Sequence, residues 1–268
     1  MTIINVILLA IFQGVAEFLP ISSSGHLAVL GAWMNIDPEA NFSLGIVLHA
    51  GTLLAILAFY FHSLRRFAKL QRNRLAGMVL LGSVPAAVIG IFFKDSVEQL
   101  AANLWIVGGC FLVTAVILFI SDRLNKKRTA SGNPGFSSDD ITWKQALIIG
   151  LAQAVALLPG ISRSGSTIAT GMFARLNPAA AAEFSFLLAI PAIGGASLLE
   201  FVDLYKSGFA GMAHPGLLLL GFAISAAVGY FALALLLKVL KKGNLIVFSI
   251  YLCIAAAAVF AKQLCGAA

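Results

Sequence analysis

Apolar residues run along the chain in long blocks, with the charged residues gathered between them. Six blocks, near 43–62, 75–93, 103–121, 181–200, 215–237 and 244–261, contain neither Lys nor Arg. Each is long enough to predict a membrane-crossing helix, which needs about 20 residues. Two further apolar regions, 3–34 and 145–174, are interrupted. Leu19-Pro20-Ile21-Ser22-Ser23-Ser24-Gly25-His26 breaks the first, and Leu158-Pro159-Gly160-Ile161-Ser162-Arg163-Ser164-Gly165 breaks the second. Each break leaves two helical arms of roughly 8–16 residues, too short to cross alone. Irregular backbone at membrane depth persists only where protein or a polar cavity satisfies it. The pattern therefore predicts an all-α polytopic membrane protein with six transmembrane helices and two re-entrant helix hairpins.

The two interrupted regions are copies. Residues 13–31 align without a gap on 153–171, and eight of the 19 positions match at an offset of 140. A composition this biased would give about two matches by chance. Phe42-Ser43 is echoed by Phe184-Ser185. Each copy comprises one hairpin and three spans, an odd number of crossings, so the halves have inverted topology. The expected organisation is a single membrane domain over 1–268, with repeats 1–121 and 144–268 joined by a basic, then Gly/Ser/Pro/Asp-rich linker at 122–143. Inverted repeats with discontinuous helices are a transporter signature, with the site where the breaks meet.

Composition sharpens this picture. The AVILMFWYC set makes up 60% of the chain and charged residues 11%, against about 25% charged in a soluble domain, which excludes a soluble enzyme or scaffold. Lys and Arg number 18 against 11 Asp and Glu, a formal charge of +7. If each hairpin returns to its own side, 14 of the 18 cations share one face: Arg65, Arg66, Lys69, Arg72, Arg74, Arg123, Lys126, Lys127, Arg128, Lys144, Arg175, Lys238, Lys241 and Lys242. Lys94, Lys206 and Lys262 fall on the other, and Arg163 lies inside a hairpin. The positive-inside rule makes the 14-cation face cytoplasmic and sends both termini outward. The basic balance thus marks orientation, and no nucleic-acid partner is expected. Two full crossings per hairpin would place the cations equally well. The N-terminus lacks a basic n-region and a cleavage site, so the first apolar stretch is read as part of the working protein. Cys110, Cys253 and Cys265 have no metal-ligand spacing and read as small buried hydrophobes.

In each hairpin a Ser/Gly loop feeds the N-terminus of a second helix, whose unpaired N–H groups and positive dipole end suit an anion. Arg163 adds a planar fork matched to phosphate oxygens, and its cost at membrane depth calls for a partner. Where the second copy has Leu157, Arg163 and Ser166, the first has Glu17, Ser23 and His26. A carboxylate and an imidazole from one hairpin thus face a guanidinium from the other. Phosphate-ester hydrolysis needs such a trio, to activate a nucleophile, hold a proton or cation, and neutralise phosphoryl charge. His49, His62 and His214 lie outside the breaks and read as structural or interfacial. Gly108-Gly109 and Gly194-Gly195 read as close helix contacts.

Gln13-xxx-Glu17-Phe-Leu-Pro-Ile-Ser-Ser-Ser-Gly-His26, Pro159-Gly-Ile-Ser-Arg163-Ser-Gly-Ser-Thr167 and Glu-Phe-Ser-Phe-Leu-Leu-Ala-Ile-Pro at 183–191 resemble the undecaprenyl-diphosphatase family of bacterial inner membranes, the bacitracin-resistance type. The resemblance implies hydrolysis of undecaprenyl diphosphate to undecaprenyl phosphate and inorganic phosphate, recycling the lipid carrier of cell-wall synthesis. It also implies a divalent cation, Mg²⁺ or Ca²⁺. By motif, Glu17 is a metal ligand or base, His26 the catalytic histidine, and Arg163 the phosphate-binding arginine. Ser22, Ser23, Ser162 and Thr167 take the hydroxyl positions around the phosphates, with Ser24, Gly25, Ser164 and Gly165 completing the two loops. The family's first acidic position holds Gln13, and an amide ligates a cation more weakly than a carboxylate. His26 is favoured as nucleophile, because an unassisted serine is weak at neutral pH; His26 as acid or base for Ser23 or for water stays open. The rival function is a transporter or flippase for a phosphorylated polyprenyl lipid. The expected partners are the lipid substrate and the bilayer, with a homodimer left open.

Overall fold

The computed structural model describes residues 1–133, 135–206, 214–241 and 243–266. Lys242 and the side chain of Lys94, both used in the charge count, fall outside the described set. The first half runs α1 (Ile3–Phe18), α2 (Ser23–Trp33), α3 (Pro38–Phe59), α4 (Phe61–Ala68), α5 (Asn73–Phe92), α6 (Lys94–Ala101) and α7 (Leu104–Ala130). A 3₁₀ turn at Ser138–Asp140 leads to α8 (Trp143–Val155), α9 (Arg163–Phe173), α10 (Pro178–Lys206), α11 (Pro215–Lys241) and α12 (Ile246–Gly266). No strand occurs among the described residues.

Six helices, α3, α5, α7, α10, α11 and α12, are long and apolar enough to cross a membrane, at the six expected places. Only 22% to 44% of each one's most apolar window is buried inside the protein, leaving the greater part to face lipid. This is a multi-pass membrane protein. The hairpin arms α1, α2, α8 and α9 have 16, 11, 13 and 11 residues. At about 1.5 Å per residue none reaches the roughly 30 Å of a hydrocarbon core.

The two halves interlock. The first arm α1 lies against α11, and the first arm α8 against α5, so each hairpin packs on a span from the other half. Both crossings are made at glycines. A Cβ on Gly14 would meet Val228 Cβ and the Gly229 backbone, and one on Gly150 would meet the Gly82 carbonyl. Gly150→Val is therefore expected to cost about 1–3 kcal/mol or more by overpacking, read as a lowered unfolding midpoint in detergent. The glycine pairs expected to mark contacts behave unevenly. Gly108 abuts the Phe260 ring, Gly194 approaches only Leu53, and Gly109 and Gly195 face open space. Cys110 is partly buried, whereas Cys253 and Cys265 on α12 are exposed, because that helix turns them away from its packed side.

The cation-bearing segments converge at one end of the bundle. Helix α7 continues past its apolar stretch, so the basic residues 123–128 extend a helix instead of opening a linker. The remainder of the 122–143 segment docks: Phe136 bridges to Leu176, and Arg74 donates to the Ile141 carbonyl (3.1 Å). Arg72 donates to Asp139 (2.7 Å), Glu183 (2.7 Å) and Ser138 (3.1 Å), and Ser138 in turn donates to Glu183. Burial works against the Arg72 charge, but Glu183 and Asp139 outweigh it and hold the guanidinium charged beyond its ordinary range. Asp122 accepts from the Leu245 amide (2.9 Å) and pairs with Lys126 (2.8 Å), tying the start of α12 to the same end.

Candidate active site

The two breaks meet. The aligned serines Ser22 and Ser162 are the N-caps of α2 and α9, accepting from the Gly25 and Gly165 amides at 3.4 and 3.0 Å. Ser22 holds the turn at φ 69°, a conformation a serine adopts only when its surroundings enforce it. Gly160, at φ 96°, has a different reason to be glycine: a Cβ there would sit 2.5 Å from the Val107 carbonyl. The loops then touch reciprocally. A Cβ on Gly25 would lie 2.8 Å from Gly160 Cα, and one on Gly165 would lie 3.2 Å from Pro20. Ser164 donates across the junction to the Leu19 carbonyl (3.2 Å).

A buried charge pair closes this junction. Glu17 ends α1 at 7% exposure. Its Oε1 accepts from Arg163 Nη2 at 2.5 Å. Its Oε2 accepts from the Ser23 hydroxyl (2.6 Å) and from Gln13 Nε2 (3.1 Å). The other guanidinium nitrogen, Arg163 Nη1, is buried without a partner, and so is Gln13 Oε1. A cleft of about 40 Å³ is lined by Glu17, Ser22, Ser23, Ser24, Arg163 and Ser164, with Ser162 and apolar neighbours behind. This is room for a few waters; a phosphoryl group requires the Glu17–Arg163 pair to part. Of the first-turn amides, which have no intrahelical partner, those of Gly25 and Gly165 are taken by the N-cap serines, and those of Ser23, Ser24, Arg163 and Ser164 are the donors left at the junction.

Several expected site residues lie elsewhere. His26 turns away from the cleft into an aromatic pocket made by Phe12, Phe111 and Tyr251. Its Nδ1 is 2.8 Å from the Ser22 carbonyl and its Nε2 2.8 Å from the Tyr251 hydroxyl. A carbonyl only accepts, so Nδ1 carries a proton, and in the neutral ring the Nε2 lone pair accepts from the Tyr251 hydroxyl. Thr167 faces α10, bonded to Ser185 (2.5 Å) and to the Arg163 carbonyl (2.8 Å). Gly25 and Gly165 pack the junction without lining the cleft, and Gln13 reaches it only through Glu17.

One residue read as structural or interfacial lies beside the charge pair. His49, on α3, places Nε2 3.7 Å from Glu17 Oε2, while its Nδ1 is 2.9 Å from the Gly45 carbonyl. An ionisable residue inside an apolar span is by default a functional candidate, and that rule, applied to His49, would have found it.

A family model, the bacitracin resistance protein BacA, matches residues 6–258. Curated relatives cover nearly the full length. An undecaprenyl-diphosphatase of Bacteroides thetaiotaomicron is 38% identical, over 98% of this chain and 100% of its own. One of Chloroherpeton thalassium is 37% identical, over 94% and 93%. Undecaprenyl-diphosphatase 4 of Bacillus cereus is 40% identical, over 91% of each chain.

Proposed function

The chain belongs to the bacitracin resistance protein BacA family, and on that premise we propose that it hydrolyses undecaprenyl diphosphate to undecaprenyl phosphate and inorganic phosphate. Such an activity returns the lipid carrier to cell-wall synthesis and protects against bacitracin. The observation that carries the reading is the Ser23 hydroxyl bonded to the carboxylate that also holds Arg163. An apolar cavity of about 310 Å³, walled by Ala86, Ile91, Leu157, Pro191 and Leu199 among others, supports a lipid substrate. Its wall includes Leu157, next in sequence to Ala156 of the polar cleft, which gives a polar head and an isoprenoid tail neighbouring places.

The diphosphate enters with its negative charge toward Arg163 and the first-turn amides of α2 and α9. Arg163 exchanges Glu17 for phosphate oxygens, which frees Glu17 to accept the Ser23 proton. Ser23 Oγ attacks the terminal phosphorus, and the bond to the bridging oxygen breaks. The released undecaprenyl phosphate takes the proton from Glu17. Water then attacks phosphoserine, with Glu17 accepting its proton and returning it to Ser23 Oγ as inorganic phosphate leaves. Ser23 is thus the nucleophile in this account, and His26, with its lone pair on Tyr251, holds the α2 turn that presents it.

A divalent cation fits this donor set in part. Glu17 and the unpartnered Gln13 Oε1 would offer it oxygen ligands, and substrate phosphates would supply the rest, as Mg²⁺ sites commonly require. Bound there, Mg²⁺ or Ca²⁺ would neutralise charge developing on the phosphoryl oxygens.

Read by the positive-inside rule, the cation-rich end faces the cytoplasm and the termini face the periplasm of a bacterial inner membrane. The charge then serves orientation, with no nucleic-acid partner, and a homodimer is compatible with it. Phosphate release in detergent micelles tests the reading against a flippase, since a carrier without two compartments does nothing measurable. Release of orthophosphate with appearance of undecaprenyl phosphate is expected, lowered by chelator and restored by Mg²⁺ or Ca²⁺. Lipid translocation in liposomes with no phosphate release in micelles would overturn it. His49→Leu is expected to lower kcat/KM on the order of tenfold, about 1.4 kcal/mol, while His49→Gln, which keeps a polar group beside Glu17, retains most of the rate.

A further inference from the structure

At the cation-rich end, one cavity collects positive charge that no acid answers. Arg128, on the last turns of α7, is half-buried. Its Nη1 donates to the Met172 carbonyl (2.9 Å), and its Nη2 to the Leu176 carbonyl (3.0 Å) and Asn125 Oδ1 (3.1 Å). All three acceptors are neutral, and Arg128 Nε is buried without a partner. Arg175 shares the walls of the same cavity, of about 190 Å³, and its charge repels that of Arg128. Among the described residues no carboxylate pairs with either arginine. Asp122 is engaged by Lys126 and the Leu245 amide, and Asp139 and Glu183 by Arg72.

The α9 C-terminus, whose Met172 carbonyl Arg128 holds, offsets only about half a charge. Most of two positive charges is left facing one space, and a guanidinium withdrawn from water among neutral partners is costly until an anion joins it. Ser121 and Asn125 supply polar walls, while Leu124 (52% exposed) and Phe173 (43% exposed) form an apolar rim. We propose that this cavity binds a phosphate-bearing anion, held by Arg175 and the Asn125 amide above the Arg128 charge. The headgroup of an anionic phospholipid and free inorganic phosphate share that chemistry. The apolar rim suits the acyl chains of the first, as in basic pockets between transmembrane helices. The cavity lies at one end of α9 and Arg163 at the other, so a bound anion would brace the helix that presents the catalytic arginine.

The test uses full-length protein carrying Glu17→Ala and Arg163→Ala, which strips the diphosphate cleft of its arginine. Its unfolding midpoint is followed in neutral detergent against inorganic phosphate in one arm and phosphatidylglycerol in another, with phosphatidylcholine as control. A saturable rise with either anion, and none with phosphatidylcholine, is expected. A response to phosphatidylglycerol alone assigns a lipid headgroup, and a response to phosphate alone assigns the free ion. A response to both assigns a phosphate group from either source. Arg175→Asn removes the charge while tolerating the φ of 69° at that position, and should raise the half-saturating concentration on the order of tenfold. Asn125→Asp sets a carboxylate beside Arg128 and should abolish the response with the protein still folded. No response in either anion arm, or a response unchanged by both substitutions, would overturn the proposal.

Discussion

Ser23→Ala is expected to lower phosphate release from undecaprenyl diphosphate by on the order of a thousandfold or more, because it removes the oxygen proposed to attack. The same change removes one of the hydrogen bonds on Glu17 Oε2 and leaves the Gln13 and Arg163 contacts in place, so the fold should be little affected. His26→Gln is expected to cost less activity and more stability, since it dismantles the aromatic pocket and the two bonds that fix the α2 turn. Rapid quenching during turnover distinguishes the two candidates. Phosphoserine survives acid, whereas phosphohistidine survives base and is lost in acid. An acid-stable phosphoenzyme absent in Ser23→Ala is the expected result. An acid-labile one that persists in that variant would transfer the attack to His26.

Arg163→Ala should abolish turnover and also destabilise the protein, by about 3–5 kcal/mol, because it strands a buried carboxylate without its counter-charge. Arg163→Lys keeps the charge but loses the planar fork, so it should recover most of the stability and little of the rate. The double change Glu17→Ala with Arg163→Ala removes both charges together. Its unfolding midpoint should return close to that of the wild type, while its activity stays absent. Stability that fails to return would mean that the pair is not the principal electrostatic partner of either group.

The spans were legible because 18 or more apolar residues in a row admit few other structures, and the breaks because Pro, Gly and Ser punctuate such runs. The meeting of Glu17 and Arg163 was legible for a related reason: both sit at corresponding loops of a repeated segment, and a charge at that depth requires a partner. Helices α4 and α6 leave no mark in the pattern, since short polar helices at the ends of spans carry no hydropathy signal. The extension of α7 through Lys127 and Arg128 was missed likewise, because charged residues ended the apolar count without ending the helix. The turning of His26 toward Tyr251, 225 residues away, depends on how α12 packs beside α7, and no local pattern contains it. His49 lies outside the motifs, and the signal that marks it is an ionisable side chain within an apolar span.

Hydrolysis of a lipid diphosphate at the junction of the two breaks is the reaction proposed for this protein. The most direct measurement is release of labelled orthophosphate from terminally labelled undecaprenyl diphosphate in micelles, by the wild type and by the folded Glu17→Ala, Arg163→Ala double variant. Sustained release by the wild type and none by the variant is the result predicted here. Equal release by both would contradict it and move the chemistry to another part of the molecule.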